Sequence, residues 1–506
     1  MIKIIWFILI LGIIFRVFIT SNDNFIFNMD NARDMIDVRE MVTLGNIRLI
    51  GPTTSIDGVY FGPFWYYLLA IPFLLTGGNP YGSIILEIAL WAVGGYFLLT
   101  LVNKYYSKWG FTGVAFLWLA SNFIILGTQY AFNPNPVLFL IPVFIFSLLK
   151  YIETEKIKYS ILTWFLAGSF FHFVVPVGIF MPVVIIMTIL FTNKTLFKQK
   201  SFLFGLIGFF VTFIPQMIFE LRHNLFMTKN LFSYNSTSHG SLNQLIHMRA
   251  LSILKSFYDT LLPTFMNLKL FTISMIVLLF SILLKNIKEK RIDNLTLVCL
   301  LLIFVPLIGL IPLKVDIMRW YLNAEMVAAI ILVGFIISSL EKSKFGKILA
   351  FGILVYLAIF TILNISMYIK ATKAGLVGNS ILKEELKVID FVYQEADGKN
   401  FKVYIYLPSV YDWPYQYLFW WYGQRKYGFL PEEYSYSPEK PAYVPNKEKF
   451  NTGSHPESSG LIFLIKEGDQ IGQRHLWEYQ FKDLLLLQTD QIGSVIIETR
   501  KANLKQ

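Results

Sequence analysis

Long apolar runs dominate this chain and leave few folds open to it. Eleven stretches, near residues 1–20, 80–102, 110–128, 136–152, 159–175, 176–192, 201–219, 268–285, 295–313, 320–340 and 346–369, have the composition and length of bilayer spans. A backbone in hydrocarbon must satisfy its own hydrogen bonds, so runs of this kind are expected as helices. With 55% hydrophobic residues, 15% charged residues and a mean hydropathy of +0.55, the chain reads as a polytopic α-helical membrane protein. The opening "MIKIIWFILILGIIFRVFIT" lacks a small-residue cleavage site and reads as a retained anchor. The single cysteine, Cys299, excludes a disulfide framework and a cysteine-based metal site.

The charges between these runs set an orientation. Five connections, "NKYYSKWG", "KYIETEKIKYS", "TNKTLFKQKS", "KNIKEKRIDN" and "EKSKFGK", carry with Lys3 16 Lys/Arg against 5 Asp/Glu, a surplus of 11. The segments on the other side, up to residue 370, carry 10 basic and 9 acidic residues, and the tail beyond has 17 of each. The positive-inside rule then places the N-terminus and these five connections in the cytoplasm. The net charge of +11 is thus an orientation signal, and no nucleic-acid partner is expected. The Lys- and Ile-rich composition hints at an AT-rich prokaryotic genome, and the expected location is a prokaryotic plasma membrane.

The segment 60–78, "YFGPFWYYLLAIPFLLTGG", is apolar enough to span, but a full crossing there would invert every later loop. It reads instead as a re-entrant or interfacial helix interrupted at Pro72, with Trp65, Tyr66 and Tyr67 at the interface. The stretch 34–50 reads as amphipathic, with Met35, Val38, Met41, Val42 and Ile47 toward lipid. The predicted layout is a transmembrane domain over 1–369, whose first external loop (21–79) carries juxtamembrane helices, and an extracytoplasmic α/β domain over 370–506. In that domain "SILKEELKVIDFVYQEADG" reads as a helix and "FKVYIYL", "GLIFLIKEG" and "GSVIIETR" as strands. The aromatic stretch Trp413–Tyr422 reads as a packed helix core rather than a sugar-stacking surface. No internal repeat of the transporter kind is visible.

With this orientation the unusual polar residues fall on the outer side. They are Asp30, Arg33 and Asp34 in the first loop, Asn133 and Asn135 in "YAFNPNP", and His172 near the end of the fifth run. Glu220, Arg222 and His223 in "FELRH" follow, then Asp316, Arg319 and Tyr321 in "DIMRWY". Glu87 and Glu325 lie within spans. Ionisable groups at membrane depth are costly and face cavities or one another, so a shared polar cavity is expected. Asp30 and Asp34 are one helical turn apart with Arg33 beside them. A carboxylate there could take a proton while an arginine fork holds a phosphate.

The motifs "MDNARD", "LIGPTTS…GVYFGPFWYYLLA", "NPNP", "FELRH" and "RWY", in this order, resemble the bacterial protein-mannosyltransferase-like family within the C-superfamily (GT-C) of membrane glycosyltransferases. Protein O-mannosyltransferases and the lipid A aminoarabinose transferase are better-known relatives. The resemblance covers roughly 1–370 and implies a GT-C-like fold of about 11 transmembrane helices. It also implies inverting transfer of a hexosyl or pentosyl group from a polyprenyl-phosphate carrier to a hydroxyl- or amine-bearing acceptor, in the outer leaflet. The family's acidic motif maps onto Asp30 as catalytic base. Protein O-mannosyltransferases carry Asp-Glu where this chain has Asp30-Asn31, and Asp34 is the substitute one turn on. Arg33, Arg222 and Arg319, with Asn133, Glu220, His223 and Tyr321, would bind the donor phosphate or substrate. Relatives sometimes hold a divalent metal, for which Asp30, His172, Glu220 and His223 are the candidate ligands, without a diagnostic spacing.

Each residue also has a plainer use. Asp30 could cap a helix over 31–45, Arg33 and Arg319 could meet lipid headgroups, and Asn133 and Asn135 could serve turns. His172 could simply pack, and Glu220 with Arg222 could form an interfacial ion pair. Two competing functions are a transporter or flippase of lipid-linked sugars and a scaffold that binds wall polymer. The span interiors, nearly uncharged apart from Arg16, speak against the flippase.

Overall fold

The computed structural model describes residues 2–237, 246–265, 268–289, 292–313, 317–376, 378–407, 411–439, 443–469 and 472–502. All eleven apolar runs contain helix: Ile2–Thr20, Tyr81–Tyr105, Lys108–Ala120 with Asn122–Leu126, Asn135–Thr154, Ile157–Phe173, Val175–Thr192, Lys200–Val211 with Ile214–Arg222, Lys269–Lys288, Asn294–Gly309, Asn323–Leu340 and Lys344–Ala374. Among the described residues seven helices are long and apolar enough to cross a membrane, or eight if Lys200–Val211 and Ile214–Arg222, bent by 48°, form one span. Of the shorter helices, Phe64–Thr76 and Asn294–Gly309 are apolar but too short to cross. Asn294–Gly309 has 16 residues and rises about 24 Å, less than the hydrocarbon core.

Backbone contacts divide the chain into two compact units. The first, residues 1–17, 48–68 and 86–368, is a helical bundle. Asn323–Leu340 is its almost wholly buried centre, enclosed by Lys108–Ala120, Asn135–Thr154, Lys269–Lys288 and Asn294–Gly309. Lys269–Lys288 instead exposes Leu270, Val277, Phe280 and Leu284, the surface expected of a lipid-facing helix. Arg16 braces this unit. Its fully buried guanidinium lies 3.7 Å from the Trp91 ring centre and donates to the Trp118 and Leu119 carbonyls at 3.4 and 3.2 Å. Those carbonyls end the Lys108–Ala120 helix, where Ser121 is extended and the chain breaks before Asn122–Leu126. Asn364 Nδ2 holds the same break, donating to the Ala120 carbonyl at 2.6 Å and Asn122 Oδ1 at 2.7 Å. A cation at a helix C-terminus meets orphaned carbonyls and the negative end of the helix dipole.

The second unit comprises residues 18–47, 69–85 and 369–506. Its sheet has the order β2-β1-β3-β5-β4, with β1 Asn400–Tyr406, β2 Glu433–Ser435, β3 Ser458–Lys466, β4 Leu485–Ile492 and β5 Val495–Lys501. β1 is parallel to β2 and β3, whereas β3–β5 and β4–β5 are antiparallel. Leu382–Glu395 and the aromatic helical segment from Trp413 to Tyr427 accompany the sheet, with Tyr415 and Tyr417 fully buried. Tyr415, Tyr417 and Phe419 of the aromatic stretch are therefore core, while Trp413, Trp420, Trp421 and Tyr422 are half-buried.

The boundary drawn at 369/370 from composition differs from this division, because the first-loop helix packs as part of the sheet unit. Phe27 N donates to the Ser380 carbonyl at 2.8 Å, Ile26 bridges Ile381, and Phe27 meets the Tyr417 ring at 5.7 Å. The Met29–Leu44 helix lies on Trp413–Leu418. Met35, Val38 and Met41, expected toward lipid, are buried in protein instead. An apolar stripe of helical period specifies a buried face without naming what covers it. The 60–78 segment likewise differs in detail. Its helix, Phe64–Thr76, runs through Pro72, and Trp65 and Tyr66 are buried rather than interfacial. At 13 residues, about 20 Å, it is too short to span.

Candidate functional site

The acidic motif of the first loop is organised by its asparagines. Asn28 is the N-cap of Met29–Leu44: its side chain accepts from Asp30 N at 3.1 Å and Asn31 N at 3.2 Å. Asn31 Oδ1 accepts in return from Asn28 N at 3.1 Å, completing a capping box. Asp30 therefore does not cap this helix, and Asn31 occupies its side chain in the box. Arg33 is not left to headgroups. Its Nη1 pairs with Asp30 Oδ1 at 3.0 Å, while its Nε and Nη2 reach Asp34 Oδ1 at 3.0 and 2.9 Å. The fork thus spans both carboxylates and offsets the repulsion expected between them. Their accessibility separates them, because the Asp34 side chain is 1% exposed and that of Asp30 is 32% exposed. Asp30 alone of the pair can meet a substrate without rearrangement.

In the helical unit, several predicted segments gather around the loop that carries Asn133. Asn133 Nδ2 donates to the Phe173 carbonyl at 3.0 Å, next to His172, and Asn323 Nδ2 donates to the Pro134 carbonyl at 2.9 Å. Asn135 secures the turn from inside, reaching the Gly127 and Tyr130 carbonyls. Phe132 meets the Trp320 ring at 5.3 Å, bringing the Arg319–Leu322 turn to the same place, and Glu87 Oε1 accepts from Phe132 N at 3.4 Å. Glu325, fully buried in the first turn of the next helix, has no hydrogen-bond partner for its carboxylate among the described residues. Arg319 is exposed, 5.8 Å from the Phe123 ring centre. Asp316 lies outside the described residues.

The "GPTTS…GVYFGPFW" motif owes its glycines to close approach. A Cβ on Gly51 would lie 2.1 Å from the Gly62 carbonyl oxygen, and one on Gly62 would lie 1.9 Å from His172 Nδ1. His172 is buried and stacks on Phe64 with ring centres 3.9 Å apart, a packing role. The same loop reaches the "FELRH" segment, where Gln216 Nε2 donates to the Tyr60 carbonyl at 3.4 Å. Glu220 does not pair with Arg222. It caps the following helix, Phe226–Thr237, accepting from Met227 N at 2.8 Å and Thr228 N at 3.0 Å. Arg222 and His223 are exposed, and His223 stacks on Phe219 at 4.1 Å. A cavity of about 440 Å³ opens here, lined by Phe171, Phe213, Gln216 and Glu220. No group of three His, Cys, Asp or Glu among the described residues could hold a metal ion. The candidate ligands are committed elsewhere: Asp30 to Arg33, Glu220 to a helix start, and His172 and His223 to aromatic faces.

A second cavity, about 230 Å³ and almost purely apolar, lies among Ile246–Leu261, Lys269–Lys288, Asn294–Gly309 and Asn323–Leu340. Sequence reasoning missed it, because Met275, Phe280 and Phe304 are ordinary span residues and the Ile246–Leu261 helix, which carries Phe257, lies outside the predicted runs.

This arrangement of helices and C-terminal sheet is an ArnT-like fold. Two solved structures share it. ArnT from Cupriavidus metallidurans bound to undecaprenyl phosphate matches with a TM-score of 0.60 and 11% identity, over 98% of each chain. The apo state of the same enzyme matches with a TM-score of 0.61 and 10% identity, over 98% of this chain and 97% of that one. The sequence matches no protein-family model and no curated protein.

Proposed function

We propose that this protein is an inverting glycosyltransferase that moves a sugar from a polyprenyl-phosphate carrier to a hydroxyl or amine acceptor. It would work in a prokaryotic plasma membrane, on the outer face, with a cytoplasmic N-terminus and an extracytoplasmic C-terminal sheet. The observation that carries this reading is the fold shared over nearly the whole length of both chains with ArnT, one of whose structures holds undecaprenyl phosphate. The half-exposed Asp30, uncommitted to capping, supplies the acid–base chemistry. Its carboxylate takes the acceptor proton as the acceptor attacks the anomeric carbon from the face opposite the phosphate. The sugar–phosphate bond breaks, its electron pair stays on the phosphate oxygen, and polyprenyl phosphate leaves. Arg33 orients Asp30; in the helical unit Arg222 and Arg319, the arginines expected to meet phosphate, are both exposed, and such groups contribute a few kcal/mol each. The 230 Å³ apolar cavity suits a segment of the polyprenyl chain. No step is assigned to a metal.

The flippase reading is less well supported. It needs polar groups along a path through the bundle, and Arg16 is instead spent on helix-end carbonyls and the Trp91 ring. Purified protein in lipid nanodiscs, given polyprenyl-phosphate sugars, should release polyprenyl phosphate, and Asp30→Asn should stop the release. Undiminished turnover by that variant would remove Asp30 from the mechanism. Sugar-lipid movement across liposomes without release of polyprenyl phosphate would replace the transferase with a flippase.

A further inference from the structure

A polar cavity of the sheet unit lies along the edge strand β2 and holds about 310 Å³, within the range of small-molecule sites. Its wall includes Gln416, 3% exposed, whose Oε1 has no hydrogen-bond partner among the described residues. The amide cannot simply be turned round, because its Nε2 is used twice, donating to Asp412 Oδ2 at 2.9 Å and the Tyr434 carbonyl at 2.8 Å. Behind it Asp412 is fully buried with Oδ1 unpartnered, and the hydroxyl of Tyr443, on the cavity wall, is buried and unpartnered as well. Buried polar atoms in folded proteins are nearly always paired, so Gln416 Oε1 and the Tyr443 hydroxyl, two on one cavity wall, ask for a ligand.

The chemistry of the wall narrows that ligand. Glu432, Glu433, Glu439 and Glu448 line the cavity with a single described cation, Lys447, and Lys447 Nζ is already held by the Tyr434 carbonyl at 2.8 Å. Acceptors outnumber donors, so the occupant brings hydrogen-bond donors and no negative charge. Tyr443 stands edge-on to Trp413 at 4.9 Å, giving the cavity an aromatic border of the kind that receives the C–H face of a sugar ring. A peptide adding a strand to β2 fits less well, because Gln416 and Lys447 occupy the Tyr434 carbonyl on that edge.

We infer that this cavity is a saccharide-binding site for hydroxyl-rich, neutral or cationic sugar units, with Gln416 Oε1, the Tyr443 hydroxyl and the rim carboxylates accepting from the sugar. The site belongs to the same compact unit as the Met29–Leu44 helix. Asn446 donates to Glu40, and Arg39 lies 3.9 Å from the Phe450 ring centre, so that helix braces the cavity's 446–451 border. The inference does not depend on the transferase reading, since binding is measured without turnover.

The test titrates the full-length protein, in nanodiscs free of sugar-based detergent, with cellobiose, with the glucosamine disaccharide and with glucuronate. Saturable binding is expected for the first two, with the amine-bearing sugar tighter, and none for glucuronate. Tyr443→Phe deletes only an unpartnered hydroxyl and should leave the melting temperature unchanged while weakening cellobiose about five-fold. Glu433→Gln should narrow the preference for the amine. Absence of saturable binding by both disaccharides would overturn the site. So would glucuronate binding as tight as cellobiose, or full affinity in the stably folded Tyr443→Phe variant.

Discussion

Arg16 and Arg33 are the same residue in two different trades. Arg16, in the helical bundle, is fully buried and gives its fork to backbone carbonyls at a helix break, with the Trp91 face beneath it. Arg33, in the sheet unit, gives its fork to two carboxylates, one buried and one open to solvent. A guanidinium used up on carbonyls is a brace: removing it leaves acceptors unsatisfied in an apolar interior. A guanidinium shared with a half-exposed carboxylate keeps that carboxylate aimed, even as its other contacts hold the buried Asp34. Buried charge in this protein is therefore no guide to function by itself. The identity of the partner and the exposure of the pair are what separate scaffold from chemistry.

That contrast breaks if the two arginine sites respond alike to substitution. The largest effect is expected for Asp30→Asn, which preserves shape and the capping box. Transfer should fall about 10²–10⁴-fold, the range for loss of a general base, with thermal stability nearly unchanged because the pair is partly exposed. Radiolabelled-sugar transfer alongside a melting curve checks both halves. Arg16→Met should do the opposite, costing about 2–3 kcal/mol through the stranded Trp118 and Leu119 carbonyls, with residual activity tracking the folded fraction. A denaturant or thermal series on the purified protein reads this. An Arg16→Met protein that is fully stable yet inactive would move Arg16 out of the scaffold.

Much of this was visible in the sequence, for identifiable reasons. Membrane-length apolar runs announce helices because a lipid-exposed backbone has no other choice, and every run is helical. The three strands found from their β-branched and aromatic patterns are β1, β3 and β5. The edge strands β2 and β4 were missed. β2 has three residues, too few to show a period, and β4, "LLLQTDQI", is largely exposed. The two-residue Gly493-Ser494 connection between β4 and β5, with Gly493 at φ 59°, was the signal that could have found the hairpin. The position of Asp30 beside Arg33 and Asp34 followed from helical spacing, but the job of its neighbour did not. Asn31 looked like a departure from an Asp-Glu motif and is half of a capping box. Glu220 failed as an ion-pair partner because the next helix start, with unsatisfied N–H groups, lies within reach. Such competition among local acceptors is set by folding and is not written in spacing.

A smaller effect sharpens the comparison within the sheet unit, where buried carboxylates are scaffold too. Burial, with Glu467 and Glu384 nearby, holds Glu385 well above the usual carboxylate range; Glu467, also buried, is raised to about 7 despite donors from Tyr415 and Ser380. For acids raised in the folded state, the stabilising contribution is complete below the unfolded value near 4.5 and is lost as pH rises through about 7. The sheet unit should melt several degrees lower at pH 8 than at pH 5, and Glu385→Gln should flatten that slope. A pH-independent melting temperature in the unmodified protein would show that the two carboxylates are paired or hydrated.

The smallest expected effect is also the most discriminating. Asn28→Ala removes the cap that fixes the first turn of Met29–Leu44 and should cost about 1 kcal/mol, a shift of a few degrees in melting temperature. If Asp30 is only a surface charge, transfer will fall no further than the folded fraction does. If it is the base, fraying of its turn loosens the Asp30–Arg33 pair, and kcat will drop well beyond the stability loss while KM for the polyprenyl sugar holds. Asn28→Ser, which can still accept from the turn's N–H groups, should restore both quantities together. Rescue of stability without rescue of kcat would mean that Asn28 touches the reaction directly, and the line between scaffold and chemistry in this helix would move from Asp30 back to its cap.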